Sequence, residues 1–251
     1  MSPVSFENSL VLKNVSYRYS FSNANSLNDV SLDIKKGEKI GFVGTTGSGK
    51  STLLDIIMGL LHPVEGHLEV DGKIITSSNV NGWQSNIAHV PQSIFLIDGS
   101  IAENIAFGTP YRDIDHGRVK WAAEKAQISD VIEGWPNNYA TSVGERGIRL
   151  SGGQRQRIGI ARALYKKACV FVFDEATSAL DSTTEQMVME TLNELADGVT
   201  ILIVAHRVST LKGCKRIVEI EMGSIRKISD YATIQSQTQK NKMKKVNLKS
   251  C

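Results

Sequence analysis

The stretch "GTTGSGKST", Gly44 to Thr52, sets glycines, a lysine and hydroxyl residues at the spacing G-x-x-x-x-G-K-[ST]. In such a loop Gly44, Thr45, Thr46, Gly47, Ser48 and Gly49 turn backbone N–H groups onto phosphate oxygens. Lys50 is expected on the β- and γ-phosphates and the Ser51 hydroxyl on Mg2+, with Thr52 ending the motif. The apolar "STLLDIIMGLL" follows, so the loop also opens a helix, whose N-terminus attracts anions. The chemistry expected here is nucleotide binding.

Carboxylates suited to that chemistry stand in "VFVFDEATSALD". Asp174 is expected to hold Mg2+ through the waters that ion gives up reluctantly. Glu175 is positioned in sequence to polarise an attacking water as general base. His206 ends "TILIVAH" and could donate to the γ-phosphate and sense its presence. A second cradle-like start, "RLSGGQRQRIGIARAL" from Arg149 to Leu164, raises the question of whose phosphate it holds.

These residues need particular elements to position them. The runs 39–44 ("KIGFVG"), 168–174 ("ACVFVFD") and 200–206 ("TILIVAH") are continuously apolar, which predicts parallel strands buried on both faces. Ligands of open parallel sheets gather at the carboxyl ends of the strands, so the three endings are expected at one crevice. "LVLKNVSYRY" and "SLNDVSLDIKKGE" alternate, and "EGHLEVDGKII" reads as a hairpin turning at Asp71-Gly72. Together they predict a small antiparallel lobe. From about Ser93 to Leu164 the pattern turns helical, with "SIAENIAFG" and "RVKWAAEKAQISDVIEG" as the clearest helices. A later helix, "STTEQMVMETLNELADG", is expected to start on a Ser182/Glu185 capping box and stop at Gly198.

Bulk composition narrows the function class. The chain has 251 residues, 41% hydrophobic and 22% charged, enough for one large domain with lobes. The net charge of +3 is concentrated at the end, where Lys240, Lys242, Lys244, Lys245 and Lys249 stand without an acid. Without them the remainder is net negative, so the body is not a basic nucleic-acid binder. The tail, 231–251, is expected to be a disordered basic end, with anionic lipid headgroups as the alternative partner. Cys169, Cys214 and Cys251 form neither a CxxC nor an even framework, which fits a reducing compartment, and Cys169 is expected in the core. No apolar run approaches the ~20 residues of a membrane span, and the start carries no signal-peptide pattern.

The set "GTTGSGKST", "VPQ", "LSGGQ", "VFVFDE", "SALD" and "AHR" resembles the nucleotide-binding domain of ABC transporters over roughly residues 10–225. "LSGGQ", Leu150 to Gln154, is that family's own signature, and "TSVGERG" with "DGSIAENIAFG" resembles its exporter branch. The resemblance implies an α/β fold: a P-loop NTPase core with a mostly parallel sheet, an N-terminal antiparallel β lobe and a helical signature lobe. It implies ATP and Mg2+ as cofactors, and ATP hydrolysis powering export at the cytoplasmic face of the cell (inner) membrane. It implies that Tyr19 stacks on adenine, that Gln92 reaches Mg2+ and the water, and that Glu145 touches the transmembrane part. It also answers the question of the second cradle. Two such domains meet head to tail, and Ser151, Gly152, Gly153 and Gln154 of each close over the nucleotide held by the other, with Asp181 aligning the interface. The domain is expected at 1–230, with its helical lobe at about 93–164.

Departures from the family pattern fall late in the chain. An Asp usual near Cys214 or Lys215 and an acid-bearing "G-x-H-x-E-L" segment are missing, which leaves the last thirty or so residues unassigned. Exporter-type domains are generally fused behind transmembrane helices, so the chain is expected to be an excised or truncated half rather than a separate subunit. The alternative function is a non-transport ATPase of the same family acting on DNA or the ribosome. Against it, no sustained heptad separates Lys50 from Leu150, and only one domain is present. An inert regulatory fold is disfavoured by the intact Lys50, Glu175 and His206.

Overall fold

The computed structural model describes residues 4–194, 198–205 and 207–236. In chain order the elements are β1 (Ser9–Tyr17), β2 (Leu27–Lys35), β3 (Lys39–Val43), α1 (Lys50–Ile57), β4 (Glu65–Val70), β5 (Lys73–Ile74), α2 (Val80–Gln84), β6 (Ile87–Val90) and α3 (Ile101–Ile105). They continue with α4 (His116–Lys125), α5 (Ser129–Glu133), α6 (Gly152–Tyr165), β7 (Val170–Asp174), α7 (Ser182–Glu194), β8 (Thr200–Val204), β9 (Arg216–Glu221) and β10 (Ser224–Ser229). The fold is α/β, and the chain divides into two units, one up to Gln84 and again from Thr200, the other Ser85–Val199.

In the first unit the alternating sequences form an antiparallel sheet in the order β2-β1-β4-β5. Its inward positions, such as Leu10, Leu12, Val30, Leu32 and Ile34, are buried while their neighbours face water. Asp71, at the β4–β5 turn, also ties down the start of β1: its carboxylate accepts from the N–H groups of Glu7, Asn8 and Ser9 at 2.6, 2.8 and 2.8 Å. β3 is an interior strand, paired in parallel with β8 on one side and β9 on the other, and its run from Lys39 to Phe42 is buried. Beneath α1 the Trp83 ring is fully buried, and its Nε1 donates to the Ile57 carbonyl at 2.7 Å. The late segment left unassigned by sequence is a hairpin: β10 returns antiparallel along β9 through Met222 and Gly223, both at positive φ.

The second unit pairs β6 and β7 in parallel and is otherwise helical. The expected helix "RVKWAAEKAQISDVIEG" is two helices, α4 and α5. Gln127 takes a left-handed φ of 58°, and Gln127 and Ile128 donate to the carbonyls of Glu124 and Ala123, which closes α4 in a Schellman cap. The start of α7 differs from expectation as well. Asp181, not Ser182, caps it, accepting from the Thr183 and Thr184 N–H groups at 3.1 and 3.0 Å, while Glu185 accepts from the Thr177 hydroxyl at 2.7 Å. Cys169 is half-buried rather than core, because it stands one residue before β7 begins. Of the expected disordered tail 231–251, residues 231–236 are helical instead, capped by the Asp230 carboxylate on Thr233 N–H at 2.8 Å and anchored by the buried Ile234, while 237–251 lie outside the described residues.

Candidate functional site

The first unit holds the phosphate loop. β3 delivers the chain to Gly44, and α1 takes it up at Lys50, so the loop joins the end of a buried strand to a helix N-terminus. Gly49 is the N-cap at φ 107°, and a Cβ there would lie 2.6 Å from the Ser26 carbonyl oxygen. Only glycine fits both demands. Lys50 is buried, and its Nζ donates to the carbonyls of Gly44 and Thr45 at 3.0 and 2.8 Å. The lysine is thus folded back over the loop, its charge satisfied by two carbonyl dipoles. Ser48 is tied in by two backbone bonds, Ser48 N–H to Thr45 O and Gly223 N–H to Ser48 O, yet its buried hydroxyl has no hydrogen-bond partner. An orphaned hydroxyl in a loop of backbone donors fits a phosphate chain. Tyr19, just past β1, belongs to the same neighbourhood: its hydroxyl is 3.2 Å from the Thr52 Oγ1. His206 lies outside the described residues.

The second unit holds the carboxylates and the signature. Asp174 ends β7, and Glu175 follows at φ 52°, a left-handed conformation that costs a non-glycine residue about 1–2 kcal/mol. That strained turn breaks the strand at the residue expected to act as base. Gln92, eighty-three positions earlier in the chain, donates from Nε2 to Glu175 Oε2 at 2.9 Å. In this unit the Gln92 amide and the Asp174 carboxylate offer hard oxygen donors, the kind that suits Mg2+.

The signature forms the start of α6. Ser151 is its N-cap and completes a capping box with Gln154: Ser151 Oγ accepts from Gln154 N–H at 3.2 Å, and Gln154 Oε1 accepts from Ser151 N–H at 2.8 Å. Gly152 and Gly153 therefore lie in the first turn of a fourteen-residue helix, at its positive end. Behind them Gln156, buried in α6, donates to the Ser178 hydroxyl at 3.1 Å and accepts from the Ala179 N–H at 2.9 Å. It fastens the signature helix to the loop leading into Asp181, whose carboxylate is held below the usual range first by the Thr184 N–H and hydroxyl. Sequence reasoning missed Gln156. The signal was available: an amide on the same i, i+4 stripe as Ile160 and Leu164.

A family model described as ABC transporter matches residues 27–178. The ATP-dependent lipid A-core flippase of Cupriavidus metallidurans is 41% identical over 226 residues, covering 90% of this chain and 38% of the flippase. The leukotoxin translocation ATP-binding protein LktB of a Pasteurella haemolytica-like species is 42% identical over 216 residues, 86% of this chain and 30% of LktB. A solved bacterial Atm1-family ABC exporter with ATP bound superposes with a TM-score of 0.87 at 32% identity, over 94% of this chain and 41% of that one. The chain thus spans well under half the length of each of these relatives.

Proposed function

This chain belongs to the ABC transporter family, as a nucleotide-binding (ATPase) domain of the exporter-type branch, and we propose on that premise that its ATP hydrolysis drives transmembrane export. The transmembrane domains it serves correspond to the remaining length of its relatives, and it works at the cytoplasmic face of the membrane. No described helix is long and apolar enough to cross a membrane itself. The ATPase domain is taken as residues 1–230, with the basic stretch 231–251 as a tail.

Each residue has a proposed part. The loop Gly44–Gly49 and Thr52 hold the phosphates, and Lys50 exchanges the Gly44 and Thr45 carbonyls for β- and γ-phosphate oxygens. Tyr19 carries the adenine. Ser51, Gln92 and Asp174 hold Mg2+, which when bound neutralises phosphate charge. Gln92 leaves Glu175, and the Glu175 carboxylate takes a proton from the attacking water. His206 senses the γ-phosphate. Ser151, Gly152, Gly153 and Gln154 close over the nucleotide of a second domain in a head-to-tail dimer, so ATP joins the pair and hydrolysis parts it.

The observation that carries this reading is the buried Lys50 ammonium folded onto loop carbonyls, beside the orphaned Ser48 hydroxyl. The test pairs calorimetry with phosphate release. Lys50→Ala should lose ATP affinity, whereas Glu175→Gln should keep affinity and lose nearly all turnover. Wild-type binding in the first, or wild-type turnover in the second, would remove that residue from its role.

A further inference from the structure

Tyr19 is not alone at the base platform. Two residues earlier Tyr17 stands across it, ring centroids 5.0 Å apart and planes at 89°. Two residues later Phe21 lies flat against it, centroids 5.3 Å apart and planes within 20°. Tyr17 ends β1, and the turn closed by Ser22 N–H on Tyr19 O brings Phe21 back against Tyr19. Their surroundings differ. Tyr17 ends a paired strand, opposite Leu27 of β2. The Tyr19 hydroxyl is tied to Thr52. Phe21 is 87% exposed, in a serine- and asparagine-rich loop closed by Ser22 N–H to Tyr19 O and Ser26 N–H to Tyr17 O.

We propose that Phe21 occupies the face of Tyr19 that an adenine base takes, and stands in for the base until nucleotide arrives. The inference rests on Tyr19 being the base platform. A phenyl ring and a purine are flat and equally thick, so one face of Tyr19 accepts one or the other. The Thr52 bond fixes where the Tyr19 hydroxyl sits, and Tyr17 is fixed in the strand pairing. Phe21 is the ring that can leave, since only an exposed loop carries it. Binding of ATP therefore exchanges one stack for another. This lowers affinity for any nucleotide with a base, and leaves the grip on a bare phosphate chain untouched. Aromatic pairs are worth ~0.5–1.5 kcal/mol, so the penalty is about two- to tenfold in the ATP dissociation constant.

The test is calorimetry on the whole chain without Mg2+, with ATP and with tripolyphosphate, which has the phosphates and no base. Phe21→Ser sits on the surface and should fold as the parent does. It should tighten ATP about two- to tenfold and leave tripolyphosphate unchanged. In a Tyr19→Ala background the gain from Phe21→Ser should vanish. Unchanged ATP affinity in Phe21→Ser overturns the proposal. Weaker ATP binding overturns it too, because the two rings would then clasp the base between them. An equal change for ATP and tripolyphosphate assigns the effect to the loop and also overturns it. Tyr19→Ala alone separates the two readings. If it leaves ATP affinity unchanged the platform itself is wrong. If it weakens ATP several-fold while Phe21→Ser does nothing, only the stand-in role fails.

Discussion

Gly49→Ala and Gly47→Ala are expected to part company sharply, although both change a glycine of the same loop at positive φ. Gly47 has φ 78°, and a Cβ there meets nothing within 4 Å. Its cost is the left-handed backbone alone, about 1–2 kcal/mol for a side chain with a Cβ. Gly49 has φ 107°, and its Cβ would stand 2.6 Å from the Ser26 carbonyl oxygen and 2.9 Å from Leu27 Cδ2. The backbone strain there is ~1–3 kcal/mol, and forcing the neighbours apart adds ~1–3 kcal/mol. The neighbour cannot give cheaply, because Ser26 donates its N–H to the Tyr17 carbonyl and Leu27 is fully buried. For a chain of this size each kcal/mol lowers the melting temperature by about 2–4 °C. Gly47→Ala should thus melt a few degrees below the parent, and Gly49→Ala at least twice as far below. Since Gly49 is also the N-cap from which Lys50 starts α1, ATP affinity by calorimetry should fall more than about tenfold in Gly49→Ala and only a few-fold in Gly47→Ala, with 1.4 kcal/mol to each tenfold. Equal melting shifts, or parental ATP affinity in Gly49→Ala, would refute the steric reasoning.

Two further expectations concern protonation. The folded-state pKa of Asp181 lies below its ordinary 3.8, owing first to the Thr184 N–H and hydroxyl; its stabilising effect is complete above pH 3.8 and is lost as pH falls through the depressed value. Asp181→Asn keeps a capping oxygen, so chemical denaturation should show near-parental stability at neutral pH and a weaker loss in acid; an unchanged acid limb would contradict this. Burial raises the Cys214 thiol from 9.0 to about 11, with Lys39 opposing, so Cys214 contributes stability fully present below pH 9 and lost as pH rises toward 11. Its labelling by an aromatic disulfide at pH 8 should wait on unfolding, and prompt reaction of the folded chain would show the site to be open.

Elements whose grammar is local were legible in the sequence. Continuous apolar runs marked β3, β7 and β8, and Asp71-Gly72 marked the β4–β5 turn, because burial on two faces and a positive-φ turn each leave a signature within a few residues. The left-handed conformations at Gln127 and Met222 were not legible: neither residue type favours them, and packing of the following chain imposes them. That is why one expected helix became α4 and α5, and why β9 and β10 went unassigned. The candidate site divides the same way. The phosphate loop is nine consecutive residues, and its spacing announces the chemistry. The Gln92–Glu175 bond joins residues eighty-three apart, and the Phe21–Tyr19 stack depends on how one loop turns back, which no spacing rule encodes.

The shared site is tested most directly by mixing two inactive variants of the chain. Lys50→Ala removes the phosphate grip, and Ser151→Arg places a bulky cation at the signature. In a mixed dimer one site carries both defects, while the other joins an intact Lys50 from one chain to an intact Ser151 from its partner. Once engineered cysteine crosslinking has shown that mixed dimers form, phosphate release should return above that of either variant alone. A labelled, photoreactive ATP should attach both to the chain carrying Lys50 and to the chain carrying Ser151. Label on the chain carrying Lys50 alone, in mixed dimers known to have formed, would contradict a nucleotide held between two domains.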